Sequence, residues 1–193
     1  MLSTQITKSN IQPGAILGMR PTLRTTPAGI FIGDNMKKIP LTQGKFATVD
    51  DEYYDELIKY KWYPHHTFNL CYAVRHTKCI KGKRGIVYMH RQILNAPHGV
   101  MVDHKDRTGL NNCIYNIRLC SNSQNQANSK KQINNTSGYK GVVWHKSKKK
   151  WIARIRCDGK LIYLGYFDNA VKAAKSYDKK AKELFGEFAY INF

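Results

Sequence analysis

Residues 99–128, GVMVDHKDRTGLNNCIYNIRLCSNSQNQAN, decide how the central part of this chain folds. The alternation in "GVMVDH" predicts a strand that ends at His104, and "NIRLC" predicts a second strand after a long polar loop. Ser121, with Gln124 three residues later, makes a Ser-x-x-Gln capping box, which predicts that a helix begins at Ser121. The predicted order is therefore strand, loop, strand, helix.

The same stretch gathers side chains suited to cutting a phosphodiester. A loop begins directly after Asp103 and His104, so both side chains can approach one phosphate. Asn125 lies in the first turn of the predicted helix and could return an amide oxygen to a cation held by Asp103. Hard divalent cations prefer such oxygen ligands, and a histidine that is mostly neutral can serve as a base for water. A polar, solvated loop is the structural alternative for this pattern.

The stretch "VDHKDRTGLNNCIYNIRLCSNSQNQAN" resembles the HNH nuclease motif, in the ββα-metal form of phage-type homing endonucleases. The resemblance implies that Asp103 and Asn125 bind one divalent cation, Mg²⁺ in the first place and Mn²⁺ in the second. It also implies that His104 is the general base, and that Asn116 ties the loop together and orients that base.

The resemblance extends upstream and covers roughly residues 38–132. His90 and Arg91, in "YMHRQIL", match a His-Arg pair that usually precedes this motif. The resemblance implies that both residues pack near the site or contact the DNA backbone phosphates. Asn111 and Asn112 are predicted to form turns.

The last part of the chain predicts a three-stranded sheet and one helix. "YKGVVWH", "KWIARIRC" and "KLIYLGYF" read as strands, and the turn "DG" between the last two is a hairpin signal. Asp168 is predicted to cap the helix and Gly186 to end it. Because the sheet must meet this helix on one face, Arg154 and Arg156 are predicted to lie on the other. The residues predicted to line the inner helix face are Ala170, Ala173, Ala174, Tyr177, Ala181 and Leu184.

Residues 137–193 resemble the DNA-binding domain of the plant Apetala-two/ethylene-response factors, especially in "YKGV", "YLGYFD" and the terminal "INF". That family lays its sheet in the major groove, which implies double-stranded DNA as the partner. Val143 and His145 stand where the plant domains carry arginine, so the plant recognition sequence does not transfer. The residues expected to contact DNA in this part are Lys140, Lys150, Trp151, Arg154, Arg156 and Tyr163.

These patterns together predict an α+β protein: a ββα-metal HNH nuclease followed by a three-stranded antiparallel sheet packed on one helix. The predicted divisions are a loosely ordered extension at 1–35, the nuclease domain at 36–133, a linker at 134–138 and the Apetala-two-like domain at 139–193.

Composition agrees with a nucleic-acid partner. The 193 residues carry a net charge of +19, and residues 137–193 alone have 13 Lys or Arg against five Asp or Glu. Charge spread in this way suits a long polyanion. A basic membrane-surface protein is the rival, but no Lys-rich amphipathic helix is evident. Five cysteines without a CxxC spacing predict reduced thiols, with structural zinc as the alternative.

The N-terminal residues do not have the pattern of a signal peptide, and the sequence has no run of about 18 apolar residues. We therefore expect a cytoplasmic protein of a bacterium or a phage-infected cell, without a membrane association.

The predicted function is metal-dependent cleavage of DNA to 5′-phosphate and 3′-hydroxyl ends, by a monomer that needs no protein partner. A homing or other mobile-element role is implied by the resemblance alone. One alternative is a catalytically inactive DNA-binding regulator, although Asp103, His104, Asn116 and Asn125 are all retained. A binder of structured RNA is another, but a sheet that reads a major groove suits B-form DNA better.

Overall fold

The computed structural model describes residues 25–26, 29–30, 35–67 and 70–193. The strands are β1 (Thr25–Thr26), β2 (Gly29–Ile30), β3 (Met36–Pro40), β4 (Phe46–Asp50), β5 (Tyr63–His66), β6 (Cys71–His76), β7 (Ile86–Tyr88), β8 (Met101–His104), β9 (Ile117–Cys120), β10 (Val142–His145), β11 (Lys150–Cys157) and β12 (Lys160–Phe167). The α-helices in these ranges are α1 (Asp51–Leu57), α2 (Met89–Ile93), α3 (Asn122–Asn128) and α4 (Ala170–Phe185).

Strands β1 and β2 pair with each other in a unit of their own, Met1–Ile32. The prediction for residues 1–35 otherwise lies outside the described residues. Gly33–Phe193 form one compact unit, a mixture of small antiparallel sheets and helices. The α+β class predicted from sequence is therefore confirmed.

The front of this unit contains two sheets and one apolar core. Strands β3 and β4 pair antiparallel beneath α1, and β5, β6 and β7 form a second antiparallel sheet in that order. Side chains from both sheets, including Ile39, Val49 and Ala73, enclose the buried Trp62. Strand β3 was not predicted from the sequence, because only Ile39 among its five residues is buried and no alternation is visible.

Strands β8 and β9 pair antiparallel, and α3 packs against β8. The capping box is present: the Ser121 hydroxyl accepts from the Gln124 amide at 3.2 Å, and the Gln124 side chain accepts from the Ser121 amide at 2.8 Å. The predicted order of strand, loop, strand and helix is confirmed. It arises from signals only a few residues apart in the chain.

The C-terminal part is a three-stranded antiparallel sheet, β10-β11-β12, with α4 against one face. Asp158 and Gly159, at φ of 48° and 77°, form the hairpin turn between β11 and β12, as predicted. A Cβ on Gly141 would stand 2.0 Å from the Tyr177 ring, so only glycine lets β10 come this close to α4. The prediction that Asp168 caps α4 is wrong, because the Asn169 side chain accepts from the Val171 amide and Asp168 pairs with Lys150.

The C-terminal part packs directly against α3. Ala127 of α3 belongs to the same buried apolar cluster as Ile155 and Tyr177. The Ser123 hydroxyl donates to the Asp158 carboxylate at 2.9 Å, and the Tyr190 amide donates to the Ala127 carbonyl at 3.1 Å. The helix after β9 therefore has neighbours from both parts of the chain.

Among the described residues, no helix combines the length and the apolar character that crossing a bilayer requires.

Candidate functional site

Asp103 and His104, the last two residues of β8, lie side by side in the wall of a cavity of about 640 Å³. Their exposed fractions are 4% and 5%. The chain turns directly after them, since the Arg107 amide donates to the His104 carbonyl at 2.9 Å. Both residues therefore line one cavity at the end of the strand, although consecutive side chains of a continuing strand point to opposite faces.

The Asp103 carboxylate is held from two sides. Arg118, its partner across the β8–β9 pair, approaches Oδ2 with Nε at 2.9 Å and Nη2 at 2.8 Å. The Asn128 amide donates to Oδ1 at 2.8 Å and to Oδ2 at 3.1 Å. Oδ2 therefore has three donors and Oδ1 has one. A lone pair on Oδ1 is left for a further ligand.

His104 has a defined tautomer. Its Nε2 lies 3.3 Å from Oδ1 of Asn112, an amide oxygen that can only accept, so Nε2 carries the proton. The Asn112 amide is fully buried, and its nitrogen donates to the Met89 sulfur and the Leu110 carbonyl, which fixes its orientation. Nδ1 of His104 is then the nitrogen free to accept a proton.

Burial lowers the pKa of His104, although the hydrogen bond to Asn112 and the charge of Asp106 act in the opposite direction. The ring also packs among other aromatic groups, with its centroid 5.8 Å from that of Tyr72 and 5.0 Å from that of His90. His90 is itself buried, and burial lowers its pKa to about 3. The imidazole of His104 is therefore held neutral at pH 7.

Asn116 lies in the predicted loop and ties it together. Its amide nitrogen donates to Asp106 Oδ1 at 2.9 Å and to the Asn111 carbonyl at 2.7 Å, and its oxygen accepts from the Asp106 amide at 3.0 Å. It makes no hydrogen bond to His104. The side chain that is hydrogen-bonded to the His104 ring is Asn112, a residue expected from the sequence to form a turn.

Two amide side chains of α3, Asn125 and Asn128, lie on the side of the helix that faces Asp103. Asn125 is half-buried and lines the same cavity as Asp103 and His104, whereas Asn128 makes the hydrogen bonds to the carboxylate. Residues three apart lie on the same helix face, so both amides point to one side of α3. Asn128 was not among the predicted site residues, although its spacing of three from Asn125 places it on the same helix face.

The donor set fits a hard cation better than zinc. Across residues 35–67 and 70–193, no three His, Cys, Asp or Glu side chains come together as a metal site would need. One carboxylate oxygen with an amide oxygen is the kind of sparse set that holds Mg²⁺, which keeps most of its water ligands. The five cysteines are free thiols that belong to no such cluster.

The outer face of the C-terminal sheet carries most of the expected DNA contacts. Arg154 and Arg156 are exposed there, and Tyr163 is 63% exposed. Trp151 is half-buried and packs against the apolar cluster that contains Ala153 and, on α4, Ala173 and Ala174, so it lies on the inner face of the sheet. Lys150 pairs with Asp168 in an exposed ion pair. This face is free of the α4 helix and carries positive charge.

Lys140, Arg91 and His90 lie elsewhere. The Lys140 amino group donates to the carbonyls of Gln126, Ala127 and Ser129 at the end of α3, and burial lowers its pKa to about 8. Both terminal nitrogens of Arg91 donate to backbone carbonyls of residues 96–100, and His90 is buried. The charged ends of Lys140 and Arg91 therefore donate their hydrogen bonds to backbone carbonyls of the protein itself.

Comparison with known proteins finds relatives of both parts of the chain. An uncharacterised HNH endonuclease of Acanthamoeba polyphaga mimivirus is 31% identical over 156 residues, which are 78% of this chain and 76% of that protein. Protein 3.8 of Escherichia phage T7 is 34% identical over 93 residues, 48% of this chain and 76% of that protein.

The C-terminal part has a separate set of relatives. An AP2-like ethylene-responsive transcription factor of Arabidopsis thaliana is 41% identical over 58 residues, which are 30% of this chain and 12% of that protein. No family model matches the chain, and no solved structure matches it. Because the mimivirus relative is matched over most of both lengths, this chain belongs to the HNH endonuclease family.

Proposed function

We propose that this protein is a metal-dependent DNA endonuclease that hydrolyses a phosphodiester bond to a 5′-phosphate and a 3′-hydroxyl. The observation that carries the proposal is the shared cavity: a carboxylate with one open oxygen and a neutral imidazole with a free Nδ1 lie side by side in its wall. Family membership and the net charge of +19 support DNA as the substrate.

In this proposal, Asp103 and Asn125 would hold one divalent cation, with Mg²⁺ preferred and Mn²⁺ accepted. The cation supplies positive charge to the developing oxyanion. Nδ1 of His104 accepts a proton from water as the water attacks phosphorus, and Asn112 keeps the ring in the tautomer that this needs. Asn116 keeps the loop after His104 in place.

The rest of the cavity wall suits a polyanion. Arg107, Lys130 and Lys131 also line it, so a phosphate backbone that enters meets three cationic side chains. On the proposed division, residues 36–133 are the nuclease domain, 134–138 the linker and 139–193 the DNA-binding domain. The arginine face of β11 and β12 would lie in a major groove of double-stranded DNA. A homing or mobile-element role is proposed from the family resemblance alone.

A second candidate is a DNA-binding regulator that does not cut. The observation in its favour is the ion pair between Asp103 and Arg118, which already neutralises the carboxylate that a cation would need. The single donor on Oδ1 argues against this alternative, because one carboxylate oxygen stays open to a cation.

Plasmid cleavage separates the two candidates. The full chain is incubated with supercoiled DNA and Mg²⁺, with and without EDTA, and with the His104→Ala variant as control. The nuclease converts the plasmid to nicked or linear forms only with free Mg²⁺ and His104. Sequencing of the ends then gives the site, the strands cut and the end chemistry. Intact plasmid under all conditions, with DNA binding retained, would support the regulator.

A further inference from the structure

Arg118, the side chain that holds Asp103, is itself held by the C-terminal part of the chain. Its Nη1 donates to Oε2 of Glu187 at 3.0 Å and to the Glu187 carbonyl at 3.2 Å. The guanidinium also lies 3.7 Å from the centroid of the Phe188 ring. Arg118 is 11% exposed, and its other two nitrogens are the ones on Asp103. One largely enclosed side chain therefore joins Asp103 to residues 187–188.

The contacts to Glu187 and Phe188 are needed because the pairing of β8 with β9 does not by itself fix the position of the Arg118 guanidinium. The β8–β9 register sets the Arg118 backbone opposite Asp103, but the long side chain keeps several rotatable bonds. The planar fork can serve two carboxylates at once through different nitrogens, and an aromatic face stabilises a desolvated cation. Glu187 and Phe188 thus restrict the guanidinium to the position from which it orients Oδ2 of Asp103.

The same C-terminal part also contacts other residues that line the cavity. The Arg107 guanidinium lies 4.1 Å from the centroid of the Tyr190 ring, and the Lys140 amino group donates to the last carbonyls of α3. The interactions of Arg118 are therefore part of a larger arrangement. Residues of the sheet-and-helix part thus contact several residues in and beside the cavity wall.

We propose that Glu187 and Phe188 are positioning residues of the cutting site. They hold Arg118 so that Asp103 presents Oδ1 to a divalent cation, which makes the C-terminal part a component of that site and not only a DNA-binding module. This inference rests on the proposed function. Without Glu187 and Phe188 the Arg118 guanidinium can move and bind both oxygens of the Asp103 carboxylate. It then competes with the cation for Oδ1, so cation binding weakens while DNA binding does not.

The test measures Mn²⁺ binding to the full chain without DNA, by electron paramagnetic resonance of the free ion. Glu187→Ala is expected to weaken binding about threefold, and the double variant with Phe188→Ala on the order of tenfold. Glu187→Gln should restore most of the affinity, because its amide oxygen still accepts from Arg118. The matched control is Glu183→Ala, an exposed glutamate on α4 that pairs with Lys180, and it should bind as wild type does.

Cleavage supplies the second readout. At limiting Mn²⁺ the Glu187→Ala variant should cut more slowly than wild type, and saturating Mn²⁺ should restore the rate. The Glu187 side chain is 70% exposed, so its removal does not open the core. Wild-type Mn²⁺ affinity in the single and double variants, or an equal decrease in the Glu183 control, would overturn the inference while cleavage by wild type still stands. Absence of wild-type cleavage would instead refute the proposed function, and the Mn²⁺ comparison would still decide the positioning role.

Discussion

The imidazole ring of His90 stands edge-on to that of His104, with centroids 5.0 Å apart and planes at 86°. Nδ1 of His90 is buried without a hydrogen-bond partner among the described residues, and burial lowers the pKa of both rings. Two cationic rings at this distance would repel each other, and burial leaves little water to screen the repulsion. The folded pair therefore does not hold two positive charges, and burial favours the neutral form of each ring.

This relationship predicts an acid-sensitive fold. The pKa of His90 is about 3 when folded, against 6.5 for an ordinary histidine. Between these values the unfolded chain binds more protons, so the free energy of unfolding rises with pH and decreases as pH falls below about 6.5. Urea unfolding at pH 7.5 and pH 5 should show the decrease. His90→Phe should reduce the pH dependence, and an unchanged dependence would contradict the assignment.

His104→Ala should lower the rate of DNA cleavage by about 10²–10⁴, the range for removal of a general base. DNA affinity should stay near wild type, because His104 is buried and contributes little charge at neutral pH. Single-turnover cleavage and a gel-shift titration measure the two quantities. His98→Ala, at an exposed position, is the control. Equal cleavage by the His104 variant would rule out the proposed base.

Asn125→Ala and Asn128→Ala should have different effects. Removal of the buried Asn128 amide takes donors from Asp103 and from the His104 carbonyl, so the free energy of unfolding should fall by about 1–3 kcal/mol. Asn125 is half-buried, and its removal should raise the Mg²⁺ concentration needed for cleavage with little effect on stability. Urea unfolding and a Mg²⁺ titration distinguish them. The reverse pattern would make Asn128 the ligand.

Arg154→Ala with Arg156→Ala should weaken DNA binding and reduce the slope of log affinity against log salt by about 2, because each arginine is expected to neutralise one phosphate. Fluorescence anisotropy at several salt concentrations measures this slope. The control is Lys172→Ala with Lys175→Ala, which removes the same charge from exposed positions on α4. If the two pairs of substitutions have equal effects, the sheet face is not the DNA-binding surface.

Lys140→Ala should act on stability more than on DNA binding. Its amino group donates hydrogen bonds to three carbonyls at the end of α3. The substitution would leave these carbonyls without that donor. A lower midpoint of thermal unfolding with an unchanged salt slope is the expected result. A reduced salt slope at unchanged stability would instead show that Lys140 contacts DNA, as the family resemblance implies.

Much of the fold could be predicted because its signals are local. The capping box at Ser121, the Asp158-Gly159 turn and the alternation of β11 each involve residues a few positions apart. Such patterns act before any long-range packing and survive in the final structure. The strand β3, which lacks a pattern of this kind, was missed.

The sequence by itself determined the order of elements around Asp103 and His104, because hydrogen bonding and side-chain alternation over a few residues are enough to specify strands, turns and caps. Tertiary structure decided which side chains meet. It brought Asn112 to His104, Asn128 to Asp103, and Glu187 to Arg118 from 69 positions away. Pairings of this range depend on how whole elements pack, and packing is set by the shapes of many buried side chains at once.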